Sequence, residues 1–167
     1  MKAFLIGFVI GLAVIPVVGY FYFSHGMAPA ATNAKPMPFE EKLAHMALKA
    51  QIEKEMPRQP QGIEPTEVNL TAGAVIYLKY CSGCHGKVGQ PLSPVVQGMF
   101  PRPPHLLKGT GVTDDPAGET YWKVANGIRL SGIPAFGKTL SDLQMWQVSL
   151  LLANADKLSP AVQNILR

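Results

Sequence analysis

The sequence predicts an all-α protein, and three observations carry that reading. No segment sustains the period-2 alternation of β-branched residues that a strand would need. Helix-start signals recur along the chain, at Thr71, at Asp115-Pro116, at Ser141 with Gln144 three residues on, and at Ser159-Pro160. Phe39, Leu43, Met46, Ala47 and Ala50 fall at helical spacing on one face. A chain of 167 residues is enough for one ordinary domain plus extra segments, and it holds no internal repeat.

The first element is the most apolar. Ala3 to Phe23 ("AFLIGFVIGLAVIPVVGYFYF") is free of charge and, as a helix, reaches about 31 Å, enough to cross a hydrocarbon core. Pro16 interrupts it, which a membrane helix tolerates. Tyr20, Tyr22 and His25 suit the outer interface, and Lys2 favours an N-terminus inside. Residues 1–24 read as a transmembrane anchor, or else as a signal sequence. Either one exports the rest of the chain.

Residues 25–38 are Ala/Pro-rich and read as a tether. Residues 39–56 turn helical with two apolar lines, the wide one named above and a narrow one of Leu48, Ile52 and Met56. The expectation is a helix packed on the main domain with a few apolar residues left exposed. Residues 57–70 carry three prolines and form a linker. Residues 71–167 are the main domain, with a Gly/Pro-rich loop from Gly86 to about Gly111 and a helix from Pro116 that stops near Gly127.

Charge follows these boundaries. Residues 35–70 hold five basic and six acidic side chains, whereas residues 71–167 hold nine basic and five acidic. No basic run interleaves with aromatics, which argues against a nucleic-acid partner. A diffuse positive field suits anionic cofactor groups or an acidic protein partner, and is equally the ordinary state of a solvated surface.

Cys81 and Cys84, the two cysteines of the chain, form C-x-x-C with His85 directly after. This is the attachment pattern of c-type haem. Two thiols three residues apart at a helix end reach both vinyl groups along one porphyrin edge, and the next imidazole swings under the ring to the iron. A thioredoxin-type pair would want a preceding strand. A zinc site would want a second ligand pair. A disulfide across two residues would be strained and would staple almost nothing. Gly73, Tyr77 and Cys81, spaced by four, put a glycine on one helix face where another helix, presenting Trp146 and Leu150, can cross closely.

The ordered stretches "NLTAGAVIYLKYCSGCHG", "PRPPHL", "NGIRLSGIPAF" and "LSDLQMWQV" resemble the class I c-type cytochromes, in particular the membrane-anchored bacterial monohaem ones, over about residues 39–167. The resemblance implies a helical fold around one covalent haem c and one-electron exchange with redox protein partners or a larger membrane respiratory complex. The implied location is the periplasm, with the chain held at the inner membrane. It further implies that Cys81 and Cys84 bind the haem and that His85 is the proximal iron ligand. Pro91 or Pro94 would lend a carbonyl to the other His85 nitrogen, and Arg102 and Arg129 would neutralise propionates. In that family the residue between Gly132 and Pro134 is a methionine bound to iron; this chain has Ile133, which cannot bind it. The iron is then open, or bound by another residue, or bound by a partner's residue. His105 and Met99 are the substitutes within the loop. Met145 reads as core, and His45 and Met46 would have to fold over the far face.

Three functions follow: a periplasmic electron carrier, a CO- or NO-binding sensor that uses an open iron, or a non-catalytic haem subunit docked through residues 39–56. With no acid/base pair near the haem motif, catalysis by the chain is not expected.

Overall fold

A computed structural model describes residues 2–59 and 62–167. It divides the chain into two compact units, Met1–Leu43 and Ala44–Arg167. All regular elements among the described residues are helices.

In the first unit, α1 (Lys2–Ser24) carries the apolar run, with Pro16 inside it. Its Gly7–Ser24 stretch has a mean hydropathy of 1.9, long and apolar enough to cross a membrane, and none of it is buried. The His25 ring Nδ1 lies 3.1 Å from the Phe21 carbonyl and helps close the helix end. No regular element lies between α1 and α2 (Glu40–Glu55). Phe39 precedes α2 at φ 65°, outside the helix.

In the second unit, Ile52 of the narrow apolar line does the packing of α2. Ile52 is 3% exposed, whereas Met46 of the wide line is exposed. The reason is tertiary: Trp122 Nε1 donates to Glu55 Oε2 at 3.1 Å, which turns that side of the helix inward. Past Pro57 the chain runs so close to Gly118 that a side chain there would meet the Pro57 carbonyl.

The helix that opens the main domain, α3 (Glu67–Tyr80), begins earlier than the Thr71 signal predicts. Thr66 is its cap, its hydroxyl accepting from the Asn69 N–H at 3.3 Å. Asn69 ties the extra turn down twice, donating to the Glu64 carbonyl and accepting from Gln147 Nε2. The turn α4 (Ser82–His85) continues the chain, and α5 (Pro94–Gln97) is a short turn inside the Gly/Pro-rich loop. The next helix, α6 (Ala117–Asn126), starts one residue later than expected, with Pro116 at its cap and Gly127 at its end at φ 67°. Asp115 is held instead by Lys123, 3.7 Å away. The remaining two helices start where the sequence places them. Ser141 and Gln144 form a reciprocal capping box on α7 (Asp142–Ala153), and the Ser159 hydroxyl caps α8 (Pro160–Ile165).

The core gathers where α3 crosses α7. Gly73 meets α7 at Gln147 and Leu151, close enough that a Cβ would lie 3.0 Å from Leu151 Cβ. Trp146 turns the other way and stacks on Tyr121 of α6 with centroids 4.4 Å apart. α8 closes over α3, with Val162 and Leu166 fully buried. Met145 is core at 6% exposure, as its helical position suggested.

Candidate haem-attachment site

The C-x-x-C-H segment lies where α3 gives way to α4. Tyr77, fully buried one turn before Cys81, donates its hydroxyl to the Gly86 carbonyl at 2.8 Å. That bond closes a loop around the motif. Gly86 itself takes φ 80°, a conformation that favours glycine, and directs the chain away from His85. Cys81 is half-buried and Cys84 exposed. Burial, with Cys84 close by, pushes the Cys81 thiol up to about 12, the opposite of what a nucleophilic redox cysteine requires.

His85 is held from behind. Its Nδ1 lies 2.8 Å from the Pro104 carbonyl. A carbonyl can only accept, so Nδ1 carries the proton and Nε2 keeps its lone pair. Burial holds the imidazole below its ordinary pKa, and nearby His105 acts in the same direction. The Pro104 bond offsets part of that shift. This is the orientation and tautomer that a metal-ligating histidine needs.

The carbonyl partner is therefore neither Pro91 nor Pro94. Residues 88–90 are drawn toward the C-terminus, with Val88 N–H donating to the Leu166 carbonyl at 3.0 Å and Gln90 Nε2 donating to that of Arg167 at 2.6 Å. Pro94 opens α5. Pro104 ends a Pro-Pro pair that keeps the backbone extended and its carbonyl free. That pair was the available sequence signal.

The 131–137 segment is clamped to the end of α6. Phe136 and Gly137 donate to the Val124 and Ala125 carbonyls at 2.9 and 3.1 Å, and Ile128 to that of Ile133 at 3.3 Å. A Cβ on Gly127 would come within 2.8 Å of the Ile133 carbonyl oxygen and the Ala135 nitrogen. Phe136 also meets Tyr80 of α3 edge to face at 5.7 Å. Ile133 is half-buried and Leu130, at φ 58°, stands 91% exposed beside it.

The other predicted site residues disperse. Arg102 is exposed and lines an open cleft with Gln90, Leu92, His105 and Lys108. Arg129 is exposed on the turn after α6 and does not line that cleft. His105 lies against Gly86, its Nε2 3.0 Å from the Gln90 carbonyl and its Nδ1 buried without a partner among the described residues. Met99 lies against Gly132, where an added Cβ would collide with its Cε. His45 and Met46 are exposed on α2. The proximity of Met99 to Gly132 carries no signal in the sequence.

These residues fit a covalently held haem: two thiols on one helix end, an imidazole fixed with Nε2 free, and a separately braced apolar loop. Residues 68–150 match the family described as cytochrome c oxidase, cbb3-type, subunit III. The match takes in almost all of α3, the C-x-x-C-H motif, the loop, α6 and most of α7. No curated protein and no solved structure matches the chain. With its helical fold and this match, the chain belongs to the c-type cytochromes, carrying covalent haem c for electron transfer.

Proposed function

We propose that the chain is a membrane-anchored periplasmic carrier that passes single electrons between a dehydrogenase or respiratory complex and a second redox protein. The observation that carries the reading is His85, fixed by Pro104 with Nε2 free, directly after C-x-x-C at a helix end. Cys81 and Cys84 bond one haem edge, His85 supplies the proximal nitrogen, and α1 stays in the membrane as an anchor. A bound haem would supply one-electron ferric/ferrous chemistry. The protein's part is to fix the iron's ligand, keep water from one face through the 131–137 loop, and offer a positive surface to an acidic partner. Arg102 and Arg129 contribute to that surface or to the propionates.

Expression of the full chain in a host with haem-attachment machinery tests this. The expected product is a membrane-bound polypeptide whose haem resists acid-acetone extraction, and the Cys84→Ala variant loses a thioether bond and the matching pyridine-haemochrome shift. Extractable haem, or a polypeptide washed from membranes by carbonate, refutes the corresponding half of the proposal. The exposed wide line of α2 (Phe39, Leu43 and Met46) favours a second reading, a haem subunit docked on a larger membrane complex. Co-purification of large membrane subunits, lost on deletion of 39–56, would select it.

A further inference from the structure

The far side of the iron is where the site is incomplete, and the two substitute ligands that the sequence offers lie in different places. Assigning the sixth ligand rests on the proposed haem function and deepens it. Pro104 sits behind the His85 ring, on the Nδ1 side, so an iron held by His85 would be bound through Nε2, on the side away from Pro104. A sixth ligand must approach from past the iron. His105 directly follows Pro104 and stays on the rear side, packed on Gly86 and bonded to the Gln90 carbonyl at 3.0 Å. It is a neighbour of the proximal imidazole and faces away from the far side.

Met99 is placed otherwise. Its Cε presses into the notch left by the missing side chain of Gly132, beside Ile133. Its own backbone is anchored, Met99 N–H donating to the Val96 carbonyl at 3.2 Å, and Val96 is 1% exposed. The loop it touches is braced on α6 by main-chain bonds that need no iron contact. Met145 is locked in the core, Met46 lies exposed on α2, and Met56 follows its last residue. A thioether opposite histidine is a ligand set that cytochromes c use.

We propose that Met99 supplies the sixth iron ligand, reaching it from the Pro-rich loop by way of the Gly132 notch. Ile133 then covers the thioether as an apolar lid, and Gly132 is a positioning residue. The test is the absorption spectrum of the full-length holoprotein, ferric and ferrous, with and without CO. Wild type should show a low-spin spectrum with the far-red thioether-to-iron charge-transfer band, and CO should leave the ferrous form unchanged. Met99→Ala should lose the band and take up CO. Gly132→Ala should weaken the same band while leaving the thioether in the chain. Adding Ile133→Met to Met99→Ala should restore the band, which separates ligand loss from misfolding. A wild-type spectrum without the band overturns the proposal, whether the iron is open to CO or held by nitrogen. A band that survives Met99→Ala overturns it too. Pyridine haemochrome is measured first: if covalent haem is absent, the haem reading fails and the ligand assignment falls with it.

Discussion

Gly73→Ala should separate the two helices that hold the main domain together. The new Cβ would run into the Gln147 carbonyl of α7, with that carbonyl carbon at 2.9 Å and Leu151 Cβ at 3.0 Å. Ordinary contact would require α3 and α7 to part by roughly 0.5–1 Å, a gap that forfeits a quarter to a half of each dispersion contact along the crossing. The obstacle is helical backbone, which cannot rotate away as a side-chain tip would. Overpacking of this kind costs about 3 kcal/mol. Alanine returns about 1 kcal/mol of helix propensity over glycine. The net loss is about 2 kcal/mol, which corresponds to a Tm lower by about 10 °C and a urea midpoint lower by about 1 M. Gly98→Ala is the reference, since its Cβ meets nothing closer than the Val95 carbonyl at 3.7 Å. It should change stability by under about 0.5 kcal/mol. If Gly73→Ala proves as stable as Gly98→Ala, the close crossing is not what organises the domain.

Tyr77→Phe leaves the buried Gly86 carbonyl without its donor and should cost about 1–2 kcal/mol in urea unfolding, with haem content unchanged. Ser141→Ala dismantles the capping box and should cost about 1 kcal/mol by the same assay. Glu55→Ala removes the acceptor of Trp122 Nε1, and limited proteolysis should then cut near Pro57 faster than in wild type. The Tyr121 phenol is pushed up to about 12 by burial and by its bond to Asp142. Its folded value exceeds the unfolded one, so its contribution is intact below about pH 10 and is lost as pH rises toward 12. Tyr121→Phe should flatten that part of the stability–pH curve, and an unchanged slope would remove Tyr121 from it.

The signals that were legible in the sequence are local ones. Ser141 with Gln144, and Ser159 with Pro160, satisfy their own helix ends within three residues, so the sequence shows both partners at once. The C-x-x-C-H motif is legible for the same reason. The features that the sequence misplaced or left open depend on distant partners. Thr71 and Thr66 both offer a cap, and Thr66 prevails because Gln147, far along the chain, holds Asn69 in the added turn. Which line of α2 faces inward was decided by Trp122, and which proline backs His85 was decided by the pull of the C-terminus on residues 88–90. Periodicity finds that a helix has two apolar lines. It does not say which one has a partner.

The isoleucine at 133 becomes intelligible through the same division between local and distant bonds. In a loop whose shape depended on a methionine–iron bond, exchanging that residue would free the loop. Here the segment is tied to α6 at Val124 and Ala125, closed on itself through Ile128, and seated against Tyr80 by Phe136. Gly127 and Gly132 allow the two close approaches this requires, one to backbone and one to Met99. The loop should therefore keep its shape with any apolar residue of suitable size at 133, and under the proposed ligation the choice of iron ligand is separated from the stability of the loop. Axial-ligand identity moves haem potentials across about 0.8 V. Under the proposed ligation, position 133 is one where substitution should retune electron transfer while the scaffold stays in place.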